Sequence, residues 1–359
     1  MPFDYLKKKR ILITGNTGFK GSWLTCILKM MGAEVYGYSN GYPTTPSLYK
    51  MLHLDNEIEM KMDDISDYDS LFGFFTDIKP QIVIHMAAQP IVREGYKSPM
   101  KTYETNVIGT VNVMECLRNT DCVESFLNVT TDKVYENLET DKYYQENDRL
   151  DGFDPYSNSK SCSELVTHCY KRSFFQDSNC QISTARAGNV IGGGDYATDR
   201  IVPDCVRAAL SNTQIIVRNP NSIRPYQHVL EPLYAYLTII CKQHENKSLS
   251  GSYNVGPEKT DCITTGELVS MFCDYWGENV QWKSLSDNGP HEANYLKLDN
   301  GLIKEKMGVS PLWTVTRAIK ETVDWTKKWQ SGDDVRNNTE TQIMKYFAER
   351  GIDSLSYTR

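Results

Sequence analysis

Two short segments carry side chains whose types and spacing suit proton transfer. Thr130-Thr131-Asp132-Lys133-Val134-Tyr135 closes an apolar run, and Tyr156-Ser157-Asn158-Ser159-Lys160 follows further along the chain. If the second segment is helical, Tyr156 and Lys160 stand four residues apart and project from one face. An ammonium beside a phenol lowers the phenol's pKa. A tyrosine acidified in this way takes a proton from an alcohol near neutral pH, which a free phenol with a pKa of about 10 does poorly. The same Tyr-x-x-x-Lys spacing also arises on solvated helix faces, and Asp132-Lys133 also reads as a solvated charge pair. The surrounding chain has to decide.

The elements that would position these groups begin near the N-terminus. Ile11-Leu12-Ile13-Thr14 reads as a buried strand, and Gly15-Asn16-Thr17-Gly18-Phe19-Lys20-Gly21 follows it directly. A helical pattern then runs through Trp23, Leu24, Ile27, Leu28 and Met31. Strand, glycine loop and helix in that order are the context in which G-x-x-G-x-x-G holds a pyrophosphate: glycines let the backbone approach it, and amides at the helix N-terminus meet its charge. An ordinary glycine turn is the alternative. A second strand, 34–38, ends in Ser39-Asn40-Gly41, where many dinucleotide folds carry an acid for the adenosine ribose. That end therefore does not choose between NAD and NADP.

Further strands are expected at 58–62, 81–85, 125–129 and 181–185, with helices over 99–117 and 155–175. Asp63-Asp64-Ile65 offers a carboxylate to an adenine amine or is a solvated turn, and the small Ala87-Ala88 lets a flat ligand lie against the backbone. His85 reads as a satisfied strand-end histidine. Alternating strands and helices predict an α/β fold, a Rossmann-type doubly wound parallel sheet with right-handed crossovers. Ligands in such sheets bind at the carboxyl ends of the strands, where the glycine loop, Ala87-Ala88, Thr131-Asp132-Lys133 and Tyr156 all fall. After Ala187 the alternation stops. Loops are expected at 219–227 and 251–257, around a helix near 231–243, in a smaller substrate-binding lobe.

Composition bounds the partners. In 359 residues the net charge is −7, which argues against a nucleic-acid surface but leaves room for a basic pocket. Ten cysteines without a C-x-x-C pair read as reduced thiols, and the six histidines lack metal-ligand spacing. The N-terminus lacks an apolar signal region, and no apolar run approaches the roughly 18 residues of a membrane span. A cytoplasmic enzyme with no metal and no membrane partner is expected.

The combination of G-x-x-G-x-x-G, Tyr-x-x-x-Lys and Thr131-Asp132-Lys133 resembles the extended short-chain dehydrogenase/reductases, particularly the nucleotide-sugar 4,6-dehydratases. Long segments carry the likeness: 15–24, 43–48, 130–137, 188–195, 199–203, and Arg218-Asn219-Pro220 through 223–228. Tyr226 departs from the tryptophan common in that family, and Tyr253-Asn254-Val255-Gly256-Pro257 is a variant segment. Lysine after the Thr-Asp pair, here Lys133, is similar to the branch that acts on CDP-glucose. The resemblance implies NAD as cofactor, held by Gly15, Thr17, Gly18, Phe19, Gly21, Asp64, Ile65, Ala87, Ala88, Gln89, Asn106, Tyr156 and Lys160. It implies Tyr156 as base at the sugar 4-hydroxyl, Thr131 on the 4-oxygen and Asp132 as acid toward the 6-hydroxyl; Lys133, or a water or tyrosine it controls, is the candidate base at C5. Lys160 would lower the Tyr156 pKa and hold the nicotinamide ribose.

Asn189, Arg200, Arg224, Gln227 and His291 are the candidates for the nucleotide sugar, arginine offering bidentate phosphate contacts. The expected division is an NAD-binding unit at 1–187, with 226–256 returning to it, and a nucleotide-sugar lobe at 188–225 and 257–359. A homodimer or homotetramer through the 99–117 and 155–175 helices is expected. Two other readings stay open. A nucleotide-sugar 4-epimerase needs no acid and base at C6 and C5, so Asp132-Lys133 speaks against it. A dinucleotide-binding protein without turnover predicts a missing tyrosine, lysine or threonine, and all three are present.

Overall fold

The apolar runs of the first half of the chain alternate with amphipathic ones, and each run becomes a strand or a helix of one layered body. The computed structural model describes residues 3–277, 280–285, 289, 293–352 and 355. Strands β1 (Arg10–Thr14), β2 (Glu34–Ser39), β3 (Glu59–Met62), β4 (Ile82–His85), β5 (Ser125–Thr131) and β6 (Gln181–Ala187) are interleaved with helices. These are α1 (Phe19–Met30), α2 (Leu48–Met51), α3 (Tyr68–Ile78), α4 (Val92–Lys97), α5 (Pro99–Tyr103), α6 (Gly109–Arg118) and α7 (Pro155–Phe174). A less regular half follows, with β7 (Val190–Ile191), α8 (Ile201–Leu210), β8 (Ile215–Val217), β9 (Ile223–Pro225), β10 (Gln227–His228) and α9 (Leu230–Glu245). It ends with β11 (Ser252–Val255), β12 (Cys262–Thr264), α10 (Thr265–Trp276), β13 (Trp282–Ser284), α11 (Gly301–Met307), α12 (Val315–Gln330) and α13 (Val335–Glu349).

The central sheet has seven strands in the order β11-β6-β5-β4-β1-β2-β3, every neighbouring pair parallel. Successive strand residues face opposite sides, so Ile11 and Ile13 enter one core while Leu12 enters the other. Both faces are covered, which is why β1 reads as a continuous apolar run rather than an alternating one. The first core gathers Trp23 and Ile27 of α1, Leu233 and Leu237 of α9 and, from α13, Ile343, Tyr346 and Phe347. The second lies under α3 and α6. A third core, around Val206, Leu268, Phe272 and Ile319, joins α8, α10 and α12 away from the large sheet. Strand order reverses between β1 and β4, with Thr14 paired to His85, and this opens a crevice at their carboxyl ends.

Three segments differ from expectation. Residues 251–257 contain a strand: β11 extends the sheet beside β6, anchored by Asn254, whose amide donates to the Tyr144 carbonyl at 2.8 Å while its oxygen accepts from the Tyr135 hydroxyl at 2.6 Å. The flanking glycine and proline hid a strand that is held by tertiary partners. Residues 219–227 contain β9 and enter β10. The 99–117 helix is interrupted by a π-helical turn at Glu104–Ile108, a bulge of the kind that redirects a side chain. Here it turns Asn106 inward, so that its oxygen accepts from the Gln89 amide at 2.8 Å and its nitrogen donates to Ser159 at 2.9 Å. All ten cysteines are free. Among the described residues no helix is long and apolar enough to cross a membrane.

One ion pair crosses the middle of this body. Glu164 of α7 and Arg186 of β6 are both almost fully buried and lie 3.0 Å apart. Burial raises the Glu164 pKa, but the Arg186 charge and the hydrogen bonds from Arg186 and Thr130 bring it below its ordinary value. The stability this contributes is present above the unfolded value, about pH 4.3, and is lost as pH falls through the lower folded value. Removing one partner leaves a charge buried alone. Arg186→Met is expected to lower unfolding stability at neutral pH by about 3–5 kcal/mol in urea titration, and Glu164→Gln added to it should restore part of the loss. An Arg186→Met protein as stable as the parent would contradict this.

Candidate active site

The glycine loop is pressed into the switch point by steric necessity. Gly15 has φ +75°, and a Cβ there would sit 2.8 Å from the Ala87 nitrogen; one on Gly21 would sit 2.3 Å from the Gly15 oxygen. Thr14 binds the next strand's end. Its Oγ1 accepts from the amides of Met86 and Ala87, each at 3.1 Å, so its own proton goes to Nδ1 of His85 at 2.7 Å. The proton on His85 then resides on Nε2, which donates to Thr110 at 3.2 Å, and Thr110 donates to the Asn106 carbonyl at 2.7 Å. Burial, with help from the Lys160 charge, takes the His85 pKa down to about 3. His85 is thus the satisfied strand-end residue expected.

At the end of β2, where an acid was sought, Ser39 donates to Asn16 Oδ1 at 2.8 Å, and Thr17 donates to the Gly41 carbonyl at 2.6 Å. Phe19 opens α1, with Gly18 as its N-cap residue. Asp64 accepts from the amide and hydroxyl of Ser66 and pairs with Lys101 at 3.2 Å. Partial burial raises its pKa, but these partners outweigh that and hold it at about 2. The Ile65 side chain is core beneath Gly109. Ala88 and Gln89 lead away from β4, and the Gln89 side chain donates to Thr102 at 2.9 Å.

The acid-base set sits where β5 ends and α7 begins. β5 runs on through Thr131, and Asp132–Val134 form a single 3-10 turn whose Lys133 amide points at Thr131 Oγ1. Thr131 donates to Asp132 Oδ1 at 2.9 Å. Asp132 is 1% exposed, and its other oxygen, Oδ2, has no hydrogen-bond partner among the described residues. Burial raises its pKa against the lowering by Lys133, Thr131 and Arg224. Helix α7 starts at Pro155, capped by Asp154, which accepts from the amides of Tyr156 and Ser157 at 3.0 Å each. That cap places Tyr156 in the first turn, facing Thr131.

The Tyr156–Lys160 pair does not work as its spacing implies. The two do share a helix face, but Lys160 is buried and donates to the Val129 carbonyl at 3.1 Å. Burial pushes Tyr156 up to about 12; a hydrogen bond with Thr131 and the Arg200 charge pull it back only in part. Burial likewise brings Lys160 down to about 8, against the raising effect of Glu164. Desolvation of both groups outweighs their proximity.

Thr131, Asp132, Lys133 and Tyr156 line a cavity of about 720 Å³ together with Asn189, Arg200 and Arg224. Arg200 pairs with Asp195 at 3.3 Å, and Arg224 is held by the carbonyls of Ile223 and Ala293. Gln227 is placed elsewhere, its amide donating to the Val255 carbonyl at 2.8 Å. His291 lies outside the described residues. Among the described residues, seven cationic side chains line this cavity against four carboxylates, in a chain whose net charge is −7. Lys20, Arg93, Arg207 and Arg218 are among the seven and were missed as site residues. Lys20 and Arg218 stood inside motifs chosen for other residues; nothing local marks Arg93 or Arg207.

Comparison with known proteins agrees with this geometry. A family model described as GDP-mannose 4,6-dehydratase matches residues 12–337. The chain belongs to the GDP-mannose 4,6-dehydratase family. It is 42% identical over 351 residues, 96% of this chain and 98% of the other, to a CDP-glucose 4,6-dehydratase of Salmonella typhimurium. Among solved structures it resembles in fold a dTDP-glucose 4,6-dehydratase of Bacillus anthracis in complex with NAD, at TM-score 0.76 and 20% identity over 90% of this chain and 98% of that one. A UDP-glucose 4-epimerase of Thermotoga maritima is similar at TM-score 0.77 and 21% identity over 89% and 99%. The dehydratase-family fold therefore also hosts epimerases, and the acid at Asp132 becomes the group to examine. Its carboxyl should hold a proton to higher pH than the ordinary aspartate value of about 3.9. Infrared titration of the protonated carboxyl band, absent in Asp132→Asn, measures this; Lys133→Met should move the band's titration further up. A band that vanishes below the ordinary value would refute the assignment.

Proposed function

We propose that the protein converts CDP-D-glucose to its 4-dehydro-6-deoxy product with loss of water, using NAD that it regenerates within each turnover. One observation carries this reading: a buried acid with an unpartnered oxygen stands beside Lys133 and Tyr156 in one cavity. The chain's likeness to a CDP-glucose 4,6-dehydratase supports the choice of substrate. The residues fit a dinucleotide, because the Gly15–Gly21 backbone and the Ala87 amide form a cradle that a Cβ would fill. When bound, NAD supplies a hydride store, filled from sugar C4 and emptied to C6.

The side chains account for the protons. Tyr156 takes the 4-hydroxyl proton, and Thr131 holds the 4-oxygen. A phenol at about 12 is a reluctant base; positive charge brought into the pocket with the cofactor lowers it toward use. With C4 oxidised, the C5 proton is acidic and passes to Lys133 in its neutral form, or to a water or tyrosine that Lys133 controls. Asp132, whose carboxyl burial shifts toward the protonated form, gives its proton to the 6-hydroxyl, the C6–O bond breaks and water leaves. Lys133 returns a proton to C5 when C6 is reduced. Lys160 holds the nicotinamide ribose, and Asp64 and Ile65 meet the adenine. Arg200 and Arg224, with Asn189, meet the diphosphate and sugar. Residues 1–187 with 226–256 serve the cofactor, and 188–225 with 257–302 the nucleotide sugar, while parts of 303–347 pack into the first core beside α1 and α9 and do not belong to the sugar lobe alone. A 4-epimerase would have no use for a buried acid at Asp132. Free thiols throughout suit the reducing cytoplasm.

The protein works as a symmetric dimer or larger assembly through α5, α6 and α7. Met100, Ile108, Leu165 and Phe174 are exposed there, at 84%, 48%, 52% and 54%, and such a face favours association. Val113 of α6 is by contrast fully buried in the second core. Light scattering at micromolar concentration should give at least twice the chain mass of 41.0 kDa; a strict monomer rules the assembly out.

Incubated with a panel of nucleotide sugars, the protein should remove one water from CDP-glucose, by mass spectrometry, without releasing NADH. Steady stoichiometric NADH release would end this reading. Lys133→Met should still oxidise C4, yet slow C5 deuterium exchange and elimination by about 10²–10⁴-fold, the usual contribution of a general base. Exchange at the parent rate would remove Lys133 from that role.

A further inference from the structure

Lys20 stands where the glycine loop becomes α1, and no step above uses it. Its ammonium makes no hydrogen bond or ion pair with any described residue, and the ring of Tyr236 on α9 lies 5.9 Å away. The Tyr236 hydroxyl is itself buried with no hydrogen-bond partner among the described residues. Three charged groups face Lys20: Arg200, just before α8, and Lys160 of α7, which repel it, and Asp132, after β5, which attracts it. Burial first, then the two cations, brings it down to about 7. It lines the cavity that holds Thr131, Asp132 and Tyr156.

Its position is that of a bridge. Its backbone belongs to the loop that cradles a diphosphate, and its side chain belongs to the pocket of the base. A dinucleotide resting on that loop has to bring its reacting ring to Tyr156, because the hydride leaves the carbon whose oxygen Tyr156 deprotonates. Lys20 lines the same cavity as Tyr156. We propose that Lys20 sets a positive charge beside the reacting ring of the cofactor, so that the protein favours the reduced, neutral ring over the oxidised, positive one and draws the first hydride from the sugar. In that step the sugar C4–H bond breaks, its electron pair passes to the ring, and the 4-hydroxyl proton goes to Tyr156. This inference rests on the reading of NAD as cofactor.

The test is binding rather than turnover. Dissociation constants of NAD⁺, NADH and ADP-ribose are measured by calorimetry for the parent, Lys20→Met and Lys20→Arg, from about pH 6 to about pH 9. The parent should prefer NADH most at low pH and lose about tenfold of that preference as Lys20 sheds its charge, the scale of one screened unit charge. Lys20→Met should lack this preference at every pH. Lys20→Arg, always charged, should keep it, and ADP-ribose, without the ring, should bind all three alike. Lys160, near 8, titrates in every variant, so the difference between parent and Lys20→Arg reports Lys20. A Met variant that weakens all three ligands equally makes Lys20 a diphosphate anchor and overturns the proposal. So does an Arg variant whose preference falls with pH as the parent's does, a result that stands even if the Met variant does not fold. Unchanged ratios overturn this inference alone, whereas a parent that binds neither dinucleotide removes the cofactor reading and this inference with it.

Discussion

The buried pair Glu164–Arg186 holds the two halves of the acid-base set in register. Glu164 lies one turn beyond Lys160 on α7 and accepts from Thr130 at 2.5 Å, so the helix that carries Tyr156 is tied to the strand residue beside Thr131. Its second oxygen accepts from Thr184 at 2.7 Å and from Arg186 at 3.0 Å, and Arg186 continues to the Tyr135 hydroxyl at 2.8 Å. Helix, two strands and the segment after Asp132 thus share one network. Two charges so deep in the protein are stabilising only while every partner is present. The same condition makes the geometry of Tyr156 relative to Thr131 insensitive to the surface.

The site is built from groups that burial has pushed away from their ordinary values. Tyr156 goes up, Lys160 and Lys20 go down and Asp132 goes up, each with desolvation as the first cause. The neutral form of each of these four groups is favoured, while the arginines of the same lining stay charged and crowd positive charge into the pocket. A ligand carrying two phosphates relieves that crowding, and its arrival changes the protonation of the groups that then act on it. Tight binding of an anion and readiness for proton transfer are in this way one electrostatic fact.

The opposite edge of the pocket is organised by neutral hydrogen bonds instead. From the end of β1 to the π-helical turn, Thr14 donates to His85, His85 to Thr110 and Thr110 to the Asn106 carbonyl, while Asn106 Oδ1 accepts from the Gln89 amide. Because His85 stays uncharged, this chain adds no field where a dinucleotide is to lie. The loop of Gly15 and the Ala87 amide can then approach a ligand as bare backbone.

Much of this was legible in the chain. β1, the glycine loop and α1 follow from a short apolar run, three glycines and a helical stripe, because local sterics and the period of burial act over few residues. Tyr156 and Thr131-Asp132-Lys133 announced themselves through spacing, and their convergence followed from the rule that parallel sheets present ligands at strand ends. Other features depended on contacts distant in sequence. β11 forms because Asn254 finds Tyr135 and Tyr144, and α13 belongs to the first core because Ile343, Tyr346 and Phe347 meet side chains more than three hundred residues earlier, such as Trp23. No local pattern marked Glu164 and Arg186 as a pair that the fold would bury, and Lys20 entered only as one residue of the glycine motif. The sequence by itself determined which groups could do the chemistry. The tertiary structure alone decided their charge, since pKa values depend on desolvation and on neighbours that no local pattern records.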